Sequence, residues 1–257
     1  MTKAPGSASF RTRMEQSSKF KNSRIVLSLD PTQTPEPKRF ALNSVKRLQH
    51  HICAIKLNFH LILPLSKSDL SEVNKLAHLY RLQSIADIKL NDISNTNQIA
   101  IQYLLEMGFD SVIVNPFMGR EALRSAVEQT HESNCGVIAL VYMSHRGAKD
   151  CYGADVISQK TKRIIRMYKH FLNMTNDAGV DGIVVGATRI AVLKEISYNK
   201  CAPIYSPGIG TQGGRIDLAI KHGTDFLIIG RSILSSIDPV REAKKFQLLT
   251  STYNVLS

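Results

Sequence analysis

No stretch of this sequence is both apolar and long enough to cross a bilayer, for every apolar run falls short of the roughly 18 residues that a spanning helix needs. No secretory signal opens it either, because no apolar segment follows the first basic residues. The four cysteines, Cys53, Cys135, Cys151 and Cys201, form no C-x-x-C pair and no metal-finger spacing, which argues against a disulfide framework or a zinc module. Reduced thiols are expected, with Cys53 and Cys135 buried as small hydrophobes in or beside apolar runs. The eight histidines contain no H-x-x-x-H or other compact ligand pattern, so His145 and the pair His50-His51 read as loop or surface residues, and no metal is expected.

Acidic residues are also scarce, 21 against 33 lysines and arginines, leaving a formal charge of +12. Such an excess admits a nucleic acid, an anionic surface or a phosphorylated substrate, and charge alone does not choose. Part of it sits at the start, where Lys3, Arg11, Arg13, Lys19 and Lys21 face only Glu15. That segment shows no clear hydrophobic period, so residues 1–22 are expected to form a flexible basic tail, and residues 23–257 the folded unit. A cytoplasmic protein is expected.

The 43% hydrophobic content suits a globular chain with a sizeable core. Its 257 residues fit one α/β barrel domain, although two ordinary domains are open on length alone. After residue 22 there is no linker-like composition and no internal repeat. Short apolar runs recur instead, each followed by a longer amphipathic stretch: 24–29, 52–55, 84–86, 111–114, 136–141, 182–185, 202–205 and 226–229. Continuous runs without polar alternation suit strands covered on both faces, as in parallel sheets. The alternation supports a doubly wound sheet or a closed barrel, and the count of about eight favours a TIM (β/α)8 barrel. Between the third and fourth runs, Ile99, Ala100, Tyr103, Leu104 and Met107 predict a core-facing helical stripe. Ser94, Asn95 and Thr96 offer N-cap oxygens at its start, and Gly108 ends it.

Barrels place catalytic groups at the C-terminal ends of their strands. Asp30 closes the first run, Lys56 the second, and the third ends in Asp87-Ile88-Lys89-Leu90-Asn91-Asp92. Period-two geometry sets Asp87 and Lys89 on one strand face, with Lys56 able to approach from the neighbouring strand. Opposite charges buried together are costly unless paired, so the cluster points to function. A solvated ion-pair ladder is the alternative reading, but a central barrel strand has little solvated face.

The seventh run leads into Gly208-Ile209-Gly210-Thr211-Gln212-Gly213, a literal G-x-G-x-x-G, yet only one strand follows it, which argues against a dinucleotide fold. Glycine loops after strands seven and eight are where TIM barrels hold phosphate, and Arg231 adds a bidentate clamp.

The element Asp87-x-Lys89-x-x-Asp92-Ile93 with Thr96 resembles the signature of orotidine 5′-phosphate decarboxylases. Sister branches that use magnesium share the Asp-x-Lys-x-x-Asp element but carry an acidic ligand on the second strand, where this chain has Lys56. The resemblance implies decarboxylation of orotidine 5′-monophosphate (OMP) to UMP, without a cofactor, by Lys89, Asp87, Asp92 and Lys56. It further implies ribose contacts from Asp30 and Lys56, a pyrimidine contact from Ser144, and a phosphate grip by Gln212, Arg231, Gly230 and backbone near Pro207. Asp92 and Thr96 would reach into the partner's site of a homodimer. Arg146, Asn91 and Ser94 depart from the proline or small residues more usual in the resemblance. A magnesium-dependent sugar-phosphate lyase and a barrel retained as a basic RNA-binding protein are the rival readings, and no nucleic-acid or membrane partner is expected.

Overall fold

The apolar runs become the staves of one closed parallel sheet. A computed structural model describes residues 8–30, 34–158, 161–210 and 212–252. Its strands are β1 (Ile25–Leu29), β2 (Ala54–Asn58), β3 (Gln83–Leu90), β4 (Ser111–Val114), β5 (Gly136–Tyr142), β6 (Asp155–Ile157), β7 (Ile164–Arg166), β8 (Gly182–Val185), β9 (Ile204–Pro207) and β10 (Phe226–Ile229). Eight of them close in the order β1-β10-β9-β8-β5-β4-β3-β2, with helices outside, as in a TIM barrel. Every residue of β1, β4, β5, β8 and β10 is buried, which is why these strands read as unbroken apolar runs. The antiparallel pair β6–β7, which the sequence reading did not anticipate, stands outside the barrel between the one-turn helix Ala148–Cys151 and the helix Met167–Ala178.

Side chains fill the barrel interior. Tyr205 is wholly buried and stacks on Phe226 with ring centroids 4.8 Å apart. Its ring lies tight against the neighbouring strand β8, since a Cβ on Gly182 would lie 2.5 Å from it. Cys53 and Cys135 are buried free thiols, as expected.

The flexible tail expected over residues 1–22 is corrected by a helix at Phe10–Lys21; residues 1–7 lie outside the described residues. Phe10, Met14, Ser17 and Lys21 are its buried positions, a helical spacing in which two of the four members are polar. That is why no hydrophobic period was visible. Arg13 spans the N-terminal ends of three strands, donating to Gln83 at 2.9 Å, to Asp110 at 3.0 Å and to the Asn134 carbonyl at 2.7 Å. Phe10 lies against Gly136, where a Cβ would come within 2.5 Å of the ring. The helix closes the bottom of the barrel, and its arginine supplies hydrogen bonds that partly buried acceptors need.

A second correction concerns the helix Ser94–Glu106. Its N-cap is Ile93, with no side-chain cap, so Ser94, Asn95 and Thr96 do not serve as expected. Asn97, Ile101 and Leu104 face the core, whereas Ile99 and Tyr103 are 47% and 53% exposed. Apolar residues occupy two faces of this helix, and the expected stripe mixed them. Gly108, at φ +89°, does terminate it.

Candidate active site

The C-terminal ends of the barrel strands surround a cavity of about 310 Å³. Its charged wall follows from register. Ser28 pairs with Lys56 across β1 and β2, and Asn58 pairs with Asp87 across β2 and β3. Strand alternation then turns Ser28 and Asp30, Lys56 and Asn58, and Asp87 and Lys89 to the same interior face. All six line the cavity.

Asp87 joins the two lysines. Its Oδ2 lies 2.6 Å from Lys56 Nζ and its Oδ1 2.7 Å from Lys89 Nζ. Burial opposes ionisation of this carboxyl, but the Lys56 and Lys89 ammoniums outweigh it and hold the group below the usual carboxylate range. Lys56 is 4% exposed, whereas the Lys89 side chain is 42% exposed and reaches the open end of the cavity. A bulge puts it there: β3 pairs with β4 at Ala86↔Val112 and next at Leu90↔Val114, and Lys89 adopts φ +47° within the irregular stretch.

Sequence reasoning missed Asn58. Its side-chain oxygen accepts from Lys56 Nζ and, at 3.2 Å, from the Ser28 hydroxyl, while its nitrogen donates to Asp30. The available signal was its position, two residues beyond Lys56 and so on the same face.

Facing this wall are three loops packed so closely that glycine is required. Gly208, Gly210 and Gly213 after β9 have φ of +96°, +74° and +85°. A Cβ on Gly208 would lie 2.9 Å from the Gln212 side chain and 3.0 Å from that of Ser144, and one on Gly186 would lie 2.5 Å from Ser144 Cα. Ser144, carried on the loop after β5, is held by its backbone: Thr188 donates to its carbonyl at 3.0 Å, and Arg189 donates to the adjoining His145 carbonyl at 2.8 Å. Pro207, Gln212, Gly230 and Arg231 complete this side, and Ile113, Leu140, Val184 and Ile228 give the cavity an apolar patch. Gly230 is pressed against β1, since a Cβ there would lie 2.8 Å from the Ser28 carbonyl.

Two expected site residues stand apart. Asp92 and Thr96 are exposed and do not line this chain's own cavity. The Asp92 carboxylate accepts from the Ile93 backbone at 2.7 Å, so within one chain Asp87, and not Asp92, is the residue that holds Lys89. His145 lies at the cavity edge, in a loop as expected.

Among the described residues no three His, Cys, Asp or Glu side chains are grouped so as to hold a metal ion. Asp87, the most buried acid of the site, is instead saturated by ammonium groups.

A TIM-barrel enzyme is the class that this arrangement defines, because ionised groups so deeply placed at a barrel mouth are retained for work on a ligand. Residues 23–246 match the family described as Orotidine 5'-phosphate decarboxylase / HUMPS family, and the chain belongs to it. It is 35% identical over 222 residues to the orotidine 5'-phosphate decarboxylase of Thermoplasma acidophilum, covering 86% of this chain and 92% of that protein. The solved orotidine 5'-monophosphate decarboxylase of Methanocaldococcus jannaschii complexed with inhibitor BMP superposes with a TM-score of 0.75 at 29% identity, over 89% of this chain and 98% of that one. The Leishmania donovani OMP decarboxylase shares the fold, with a TM-score of 0.81 at 18% identity over 95% and 98% of the two chains.

Proposed function

We propose that this chain is a carboxy-lyase converting OMP to UMP and carbon dioxide, in the cytoplasm, as a cofactor-free step of pyrimidine synthesis. The observation that carries the reading is the Lys56–Asp87–Lys89 array in a cavity shared with Gln212 and Arg231. Lys56 supports it against the magnesium-dependent branches, because an ammonium at this place repels a divalent cation.

Breaking the bond between C6 and the carboxylate leaves the electron pair on C6 in an orbital that the pyrimidine π system cannot delocalise. Charge stabilisation must therefore be direct. The Lys89 ammonium is the group for this: it stabilises the developing carbanion, then gives C6 its proton as general acid. Asp87 stands near the departing carboxylate and orients Lys89. Asp30 and Lys56 bind ribose hydroxyls, Ser144 meets the pyrimidine beside the apolar patch, and Gln212, Arg231 and the backbone at Gly230 and Pro207 grip the phosphate.

The functional unit in this reading is a homodimer. Asp92 and Thr96 enter the partner's site, which accords with their exposure beside the exposed Ile93 and Tyr103. An OMP decarboxylation assay in EDTA tests the whole reading. Undiminished turnover in chelator is expected; turnover abolished by EDTA would refute the metal-free reading, and no turnover of OMP with or without magnesium would refute the decarboxylase reading in favour of the sugar-phosphate branch.

A further inference from the structure

We propose that Asn58 is a positioning residue that binds Asp30 and Lys56 into one unit for gripping the sugar's vicinal hydroxyls; the inference rests on the decarboxylase reading above. Asn58 ends β2 and precedes the one-turn helix Phe59–Ile62, a place where asparagine ordinarily bends back to cap backbone N–H groups. It makes no such cap here. The amide is committed instead to the cavity, where it accepts from Lys56 and Ser28 and donates to Asp30.

The chemistry of this link is specific to an amide. Joining an ammonium to a carboxylate takes one planar group with an acceptor on one side and a donor on the other, and no net charge. Among the described residues, Lys56 Nζ has two acceptors, Asp87 at 2.6 Å and Asn58. Removing the second frees Nζ to pivot about the first. Among the described residues, Asp30 would keep only the Ser28 hydroxyl at 3.2 Å and His60 at 3.7 Å. With Asn58 in place, the ammonium offers a donor and the carboxylate an acceptor at fixed separation, the pattern that adjacent hydroxyls recognise. Asn58 therefore acts through its neighbours on sugar binding, at a distance from the carbon that loses its carboxylate.

The test is steady-state kinetics of wild type, Asn58→Ala and Asn58→Asp on OMP and on 2′-deoxy-OMP between pH 5 and pH 9, with thermal unfolding of each variant. For Asn58→Ala a KM on OMP raised about tenfold or more is expected, on the scale of a hydrogen bond to a charged group, with a smaller change in kcat. The penalty should shrink severalfold on the deoxy substrate. Asn58→Asp should approach wild type as pH falls, because a protonated carboxyl offers the same donor and acceptor, and should bind OMP worst at high pH beside Asp30. A wild-type KM for Asn58→Ala, or an equal penalty on both substrates, overturns the inference while the decarboxylase reading stands. Failure of the wild type to decarboxylate OMP overturns both. If Asn58→Ala does not fold, the acid recovery of Asn58→Asp decides, and its absence refutes the proposal.

Discussion

Lys89 meets Asp87, two residues earlier on the same strand, at 2.7 Å from a left-handed backbone of φ +47°. A side chain in that region costs on the order of 1–2 kcal/mol. The fold retains it where β3 departs from regular pairing with β4. Strain persists where the surroundings over-determine it, and here Lys56 completes the constraint by holding the other oxygen of the same carboxylate.

Replacing Lys89 by alanine is expected to lower turnover by about 10³-fold or more, the combined scale of a lost general acid and a lost charge partner. Folding should be kept, because Asp87 retains Lys56 and the Lys89 side chain is partly exposed. The check is the decline of OMP absorbance alongside a thermal unfolding scan. A rate like that of wild type would remove the residue from the mechanism.

For Arg231→Ala the expected loss in kcat/KM on OMP is on the order of 2–5 kcal/mol, the cost of leaving a charged group without its partner. The guanidinium opens the one-turn helix after β10 and lines the cavity. The loss should contract strongly on orotidine, which lacks phosphate. Equal losses on the two substrates would contradict a phosphate role.

Lys89→Ala and Asp92→Ala, each nearly inactive alone, should regain activity when mixed and allowed to exchange subunits. One site of each mixed dimer then holds both wild-type residues, giving about a quarter of wild-type activity at statistical mixing. No recovery in a sample shown to contain mixed dimers would place Asp92 in its own chain's site or outside catalysis.

Phe10→Ala should destabilise the protein by about 3–5 kcal/mol, as expected for a fully buried aromatic ring. The ring lies at the opposite end of the barrel from the cavity, so KM for OMP should hold at temperatures where the variant is folded. Urea unfolding and kinetics at low temperature measure the two effects.

His131 gives a pH signature. Its hydrogen bond to Asp181, at 2.9 Å, raises the imidazole pKa, against the pull of desolvation. The protonated ring is favoured by folding, so its stabilisation is complete below the unfolded value of about 6.5 and fades as pH rises through the folded value. The unfolding midpoint of His131→Gln should therefore fall below wild type by more at pH 6 than at pH 9. A gap independent of pH would refute this linkage.

Much of this was legible in the chain itself, for physical reasons. Runs such as Ser111–Val114 and Gly182–Val185 could be read as strands because helices and barrel interior bury both faces. Asp87 and Lys89 could be placed together because side-chain alternation is a local rule. What escaped depended on tertiary context. The helix Phe10–Lys21 hides half its buried face in Ser17 and Lys21, which only the barrel bottom makes sense of. Ile99 and Tyr103 look like core by spacing, yet Asn97 and Ile101 take the inward side. The β3 irregularity, which depends on pairing with a strand 20 or so residues away, leaves no local mark.

Position 89 serves two masters. The proposed mechanism asks for a long cationic arm, while a backbone at φ +47° is most at ease with no side chain at all. On that mechanism glycine there would relax the chain and silence the enzyme, so robustness and speed are opposed at this one locus. Any hardening of the protein against heat has to be found elsewhere, and the arginine-stapled floor of the barrel, remote from the reacting carbon, is where it comes without that conflict.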